Sequence, residues 1–170
     1  MVRRKRSGMT LLELLLATAM MTTVLTAVAV LLRGAHASWT AQQQDTEQLM
    51  ALHATVRHIV RHTRQATAVT ALSAADEAAG TLSVEMPGGE TYVWSRSSGT
   101  NQVLFGIGTA DQLLAENITA LNFTGYKADA VTETTDPGEI HGVECRAQIS
   151  LPRDAGGQRS VACWVWLRSW

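Results

Sequence analysis

Cysteine is scarce in this chain of 170 residues. Cys145 and Cys163 are the only two, and neither belongs to a CxxC or Cys/His pair of the kind that zinc requires. That excludes a cysteine-ligated metal framework. One disulfide is the better use for the pair, and it demands an oxidising compartment; two free buried thiols are the alternative. Positive charge is also scarce once the start of the chain is passed. Arg3, Arg4, Lys5 and Arg6 hold four of the 14 basic side chains, so the remainder sets 10 basic against 15 acidic groups, a balance of about −5. A body of that sign has no general attraction for phosphate backbones, so nucleic acid is not an expected partner.

Recognisable catalytic patterns are absent as well. No serine sits in a GxSxG context, and Gly106-Ile107-Gly108 lacks the third glycine and following helix of a dinucleotide site. His58 and His62 stand one helical turn apart, as metal ligands can, but the run between them lacks the Glu of an HExxH helix, and Arg57 and Arg61 repel a cation. A solvated helix face, shared with His53, is the reading these residues favour. With no clustered catalytic set, the chain reads as a non-enzyme.

What the sequence does have is a long apolar run. Residues 9–32 are interrupted by a single charge, Glu13. As a helix they would extend about 36 Å, enough to cross a hydrocarbon core of about 30 Å. The cations ahead of the run hold that end in the cytoplasm, so the chain beyond it emerges on the far side. A carboxylate in such a segment is costly, by about 2.5 to 3.5 kcal/mol at a helix centre and less near its end. Glu13 either snorkels to water or awaits a cationic partner.

The basic residues 3–6, Ser7-Gly8 and then Met9-Thr10-Leu11-Leu12-Glu13-Leu14-Leu15-Leu16-Ala17 resemble the prepilin signature of type IV pilins and type II secretion pseudopilins. The resemblance implies cleavage after Gly8 by a membrane prepilin peptidase, an N-methylated mature start at Met9, and Glu13 as the acid at the fifth mature position. The family most often has Phe where Met9 stands. Glycine presents no side chain to the peptidase, and loss of the leader cations frees the helix end from the inner leaflet. The new α-amino group of one subunit can then be neutralised by Glu13 of a neighbour, which favours one axial stagger over others. An ordinary secretory signal, with small-x-small sites at Ala27-Val28-Ala29 and Ala35-His36-Ala37, and an uncleaved anchor compete for the same segment. A secretory core is usually shorter and uncharged.

Beyond the apolar run, Leu49, Leu52, Val56, Ile59, Val60, Thr63 and Val69 recur at helical spacing, with Arg57, Arg61 and Arg64 off the stripe. This predicts that the membrane helix continues into the globular part as an amphipathic helix over 33–72, with an interruption near Gly34 conceivable. From residue 73 the pattern changes to short β-like runs separated by turns: 82–86, 92–94, 103–107 and 118–123. A closing hairpin joins 143–151 to 159–167 through Pro152 to Gln158. Centred near Asp154, it sets Cys145 opposite Cys163 on one face with Ile149, Leu151, Val161, Val165 and Leu167, while Arg146, Gln148, Trp164 and Trp166 face the other way.

The expected fold is therefore α+β and pilin-like: a long N-terminal transmembrane-to-periplasmic helix packed on an antiparallel β-sheet. Its parts are a leader 1–8, an assembly helix 9–32, an amphipathic continuation 33–72 and a β-rich periplasmic domain 73–170. Residues 114–123 are similar to a stretch of the J-type minor pseudopilins and their pilus-associated relatives. Together these imply a minor pseudopilin of a type II secretion pseudopilus, in a bacterial inner membrane with its N-terminus cytoplasmic. Its partners would be the prepilin peptidase, other pseudopilins or pilins, and the inner-membrane assembly platform. A minor pilin initiating a type IV pilus, and a membrane-anchored periplasmic binding domain, are the alternatives. No cofactor is expected. Some relatives bind calcium in loops comparable to the oxygen-rich residues 129–139, but the spacing is not that of an EF-hand, and a solvated loop is favoured. Trp164, Trp166 and Trp170 are read as packed against neighbouring loops, or as a contact patch for another subunit.

Overall fold

A computed structural model describes residues 9–151 and 157–168. The leader with Gly8, the turn residues 152–156 and Trp170 lie outside the described residues. The fold is α+β. It comprises one helix, α1 (Leu11–Thr63), and nine strands: β1 (Ala68–Leu72), β2 (Thr81–Glu85), β3 (Thr91–Ser97), β4 (Gln102–Ile107), β5 (Gln112–Ala115), β6 (Ile118–Tyr126), β7 (Glu133–Thr134), β8 (Gly142–Ser150) and β9 (Gln158–Trp166). A 3-10 turn, Pro137–Glu139, precedes β8. The chain divides into two compact units, residues 1–42 and 43–170.

In the first unit α1 is apolar on every side between Leu14 and Leu32 and exposed there; Leu15, Met20, Val24, Val30 and Leu31 are all more than half exposed. It is the one helix among the described residues that is long and apolar enough to cross a membrane. The helix runs unbroken through Gly34. Its threonines are compatible with a lipid surroundings because their hydroxyls donate to carbonyls of their own helix: Thr18 to Leu15 at 3.0 Å, Thr22 to Ala19 at 2.9 Å, Thr23 to Met20 at 2.8 Å and Thr26 to Thr22 at 2.8 Å.

In the second unit the remaining turns of α1 bury one stripe, Leu52, Thr55, Val56, Ile59 and Thr63, with Leu49 and Val60 partly covered. Arg57, Arg61 and Arg64 are exposed. The helix stops at Thr63, short of the residue 72 that its periodicity predicts. Gln65 and Ala66 donate to His62 and Thr63 in tighter turns, and the Thr67 amide donates instead to Glu85. The β-branched residues Thr67, Val69 and Thr70 then favour a strand. Val69 is buried, as its place in the stripe required, but on β1.

The strands form two antiparallel sheets, where a single sheet was expected. The first is a meander in the order β1-β2-β3-β4-β5; the second has the order β7-β6-β8-β9. One core joins them to α1, and its largest fully buried side chains are Trp94 and Phe123. Two features stitch the sheets together. Gly80 donates to the Leu121 carbonyl at 2.8 Å, an approach so close that a Cβ there would collide with that oxygen. Arg96 on β3, almost fully buried, donates through Nε to the Ile118 carbonyl at 2.7 Å and through its terminal nitrogens to the Ala78 carbonyl at 3.3 Å and Asn101 Oδ1 at 2.5 Å.

Candidate functional site

The N-terminal turn of α1 is a reciprocal cap. The Glu13 amide donates to Thr10 Oγ1 at 3.3 Å, and the Thr10 amide donates back to Glu13 Oε2 at 3.4 Å. This is the S/T-x-x-E capping arrangement, which satisfies helix amides that have no partner in the helix itself. The signal, Thr10-Leu11-Leu12-Glu13, stands in the sequence as four consecutive residues. Glu13 thus has a use within its own chain. Both hydrogen bonds are long, and the side chain is exposed. Met9 lies just ahead of the cap and is 67 % exposed.

Cys145 and Cys163 stand directly across from each other on β8 and β9, in the register expected of the closing hairpin. The amide of Leu151 donates to Gly157 at 3.1 Å and that of Leu167 to His141 at 2.9 Å, so odd-numbered residues of the two strands form the hydrogen-bonded pairs. The cysteines are one of these pairs. Its Cα spacing of about 5.5 Å falls within the disulfide range. The expected bond is not formed: both are free thiols, Cys145 fully buried and Cys163 half-buried. Burial, reinforced by the neighbouring Cys163 and Glu144, pushes the Cys145 thiol up to about 12. The Cys145 thiolate is correspondingly disfavoured.

The histidines do not line a solvated face. His53 is exposed, but His58 and His62 are half-buried in a cluster of rings. Trp94 Nε1 donates to His58 Nδ1 at 3.2 Å; His58 lies 4.8 Å from Phe105 and 4.6 Å from His62, and His62 lies 5.4 Å from Tyr92. Burial comes first in lowering the pKa of both, with Arg61 adding to it in each and His62 also acting on His58. Their ring partners on β3 and β4 lie thirty or more residues away, and no local pattern announces them.

In the loop 129–139 the carboxylates of Asp129, Asp136 and Glu139 are already engaged. Asp129 accepts from the Val131 and Thr132 amides at 3.0 and 2.9 Å, and the Thr132 hydroxyl and these amides hold its carboxyl down at about 2. Glu139 is bound by Lys127 at 2.6 Å, and Asp136 caps the Gly138 amide at 3.0 Å. Among the described residues no group of three or more His, Cys, Asp or Glu side chains is placed to hold a metal ion.

On the outer face of the second sheet, Trp164 packs 5.1 Å from Tyr126 and 5.0 Å from Trp166, and lies over Gly142, where a Cβ would press on the indole. Trp166 is 44 % exposed. No protein-family model matches the chain, and no curated protein matches it.

Proposed function

We propose that the chain is a minor pseudopilin, a structural subunit that assembles through its N-terminal helix into a short fibre serving type II secretion. The observation that carries this reading is a membrane-length helix, exposed on every side, whose one charge within residues 9–32 is Glu13 in its first turn. In this reading prepilin peptidase cuts after Gly8 and Met9 becomes the N-methylated first residue. The chain is held in a bacterial inner membrane with its start cytoplasmic and residues 43–170 periplasmic, until the assembly platform extracts it. Helices of other pseudopilins then cover the apolar surface of α1, and the charge of Glu13 meets the free amine of a neighbour. The subunit is a substrate of enzymes and does no chemistry itself. A minor pilin that initiates a type IV pilus uses the same leader and helix, and is the second reading.

The cap at Thr10 gives a test that separates the two uses of Glu13. Glu13→Gln keeps an oxygen able to accept from the Thr10 amide but removes the charge; Glu13→Ala removes both. If the charge pairs with a neighbour, both variants are cleaved normally and both are lost from sheared fibres, whereas wild type is retained. Normal incorporation of Glu13→Gln would leave Glu13 as a helix cap only.

A further inference from the structure

We infer that the outer edge of β9 is a docking site for an extended, acidic segment of another polypeptide, which adds to the second sheet as a further strand. This does not rest on the fibre reading.

The two sheets have four edges, and three of them are blunted. β5 has four residues and β7 two. β1 has five, carries a bulge between Val69 and Ala71, and is packed against the 3-10 turn. Short strands and bulges are the usual devices that stop a sheet from recruiting foreign strands. β9 has none of them: it is nine residues long, its register with β8 is continuous, and it contains neither Pro nor Lys. Since odd-numbered residues bond to β8, the amides and carbonyls of Gln158, Ser160, Ala162, Trp164 and Trp166 point away from it. Among the described residues no strand pairs with that row.

The chemistry of the occupant follows from the same strand. Unpaired main-chain groups at every second residue call for an extended backbone, as in strand addition to sheet edges. The outer face carries Ser160 and Ala162 followed by the indoles of Trp164 and Trp166, so apolar or small side chains fit beside it. β9 carries no acid, and its one charge, Arg159, is exposed and makes no ion pair among the described residues. That charge selects an acidic segment and disfavours a basic one.

The test uses the full chain in detergent micelles and, as probe, the blocked peptide Glu-Val-Ser-Val-Ala-Val-Glu, with residue-resolved amide exchange as the readout. Without peptide, the amides of Ser160, Ala162, Trp164 and Trp166 exchange fast and those of Val161, Cys163 and Val165 slowly. With peptide, the first group slows by at least about tenfold and the second is unchanged. Replacing both peptide Glu residues with Lys, or Arg159→Glu in the protein, weakens the effect by about fivefold, as expected of an exposed ion pair worth about 1 kcal/mol. Methylating alternate peptide nitrogens abolishes it. Arg159 is exposed, so its variant folds. The inference is overturned if the outward amides are already slow in the chain alone, whether a second copy, visible by sedimentation, or this chain itself covers them. It is equally overturned if the peptide leaves them fast, or if the Lys peptide binds as well as the Glu peptide.

Discussion

Arg96 carries a permanent charge into the interior with three neutral oxygens to receive it. Each of them, the Ile118 and Ala78 carbonyls and Asn101 Oδ1, belongs to a segment that must stay in place for the two sheets to share one core. Arginine suits this role because its planar fork reaches several acceptors at once, which lysine cannot do. Arg96→Met would leave buried oxygens without donors and should cost about 3 kcal/mol, lowering the melting temperature by about 10 °C; calorimetry checks it. Arg96→Lys should fall between. The sequence marks Arg96 only as one more surface-like charge on a β pattern, since its acceptors come from turns and strand ends that no periodicity predicts. Glu13 is the opposite case. Its residue type and position are legible, and the cap it forms with Thr10 is written in four consecutive residues.

Among the elements, the lower turns of α1 were the most legible, because Leu52, Val56, Ile59 and Thr63 keep helical spacing and are buried. The same spacing overran at Val69, where three- and four-residue intervals continued by chance across a change to β1. β5 was missed because Gln112–Ala115 is too short to alternate. Two sheets cannot be told from one by alternation, which is the same in both. Where α1 meets β3 and β4, His58 accepts the Trp94 indole proton and must be neutral to do so. Its folded pKa lies below 6.5, as does that of His62, so the unfolded chain takes up protons first as acid is added. Stability is full well above the unfolded value of about 6.5 and falls as pH drops through it toward the folded values. Melting temperatures should decline between about pH 7.5 and 5.5, above the carboxylate range, and the decline should flatten in His58→Gln/His62→Gln. An equal decline in that double variant would assign the effect elsewhere.

The closing hairpin was legible down to its register, because the apolar sets on β8 and β9 are compatible with one pairing only. If the facing cysteines are oxidised, they close a loop worth about 3 kcal/mol in the chain-entropy model. Protein isolated from an oxidising compartment should then gain two hydrogens in mass on reduction and melt several degrees lower. Unchanged mass and melting would mean that both thiols stay free.

At the scale of the whole molecule, the two units differ in how they satisfy their apolar surface. Residues 43–168 bury theirs in a core that includes Trp94 and Phe123. Residues 9–42 leave theirs exposed along a single helix that is long and apolar enough to cross a membrane; in the proposed function it is covered first by lipid and then by the helices of other subunits. On that proposal the passage from lipid to neighbouring helices needs the leader cations removed, because they would hold the helix end at the membrane. The most direct measurement is the intact mass and terminal sequence of the chain recovered from the cell. The account expects a chain that begins at Met9 with one methyl group on its α-nitrogen. A functional chain that retains residues 1–8, or one that begins at Val30 or Ser38, would contradict it.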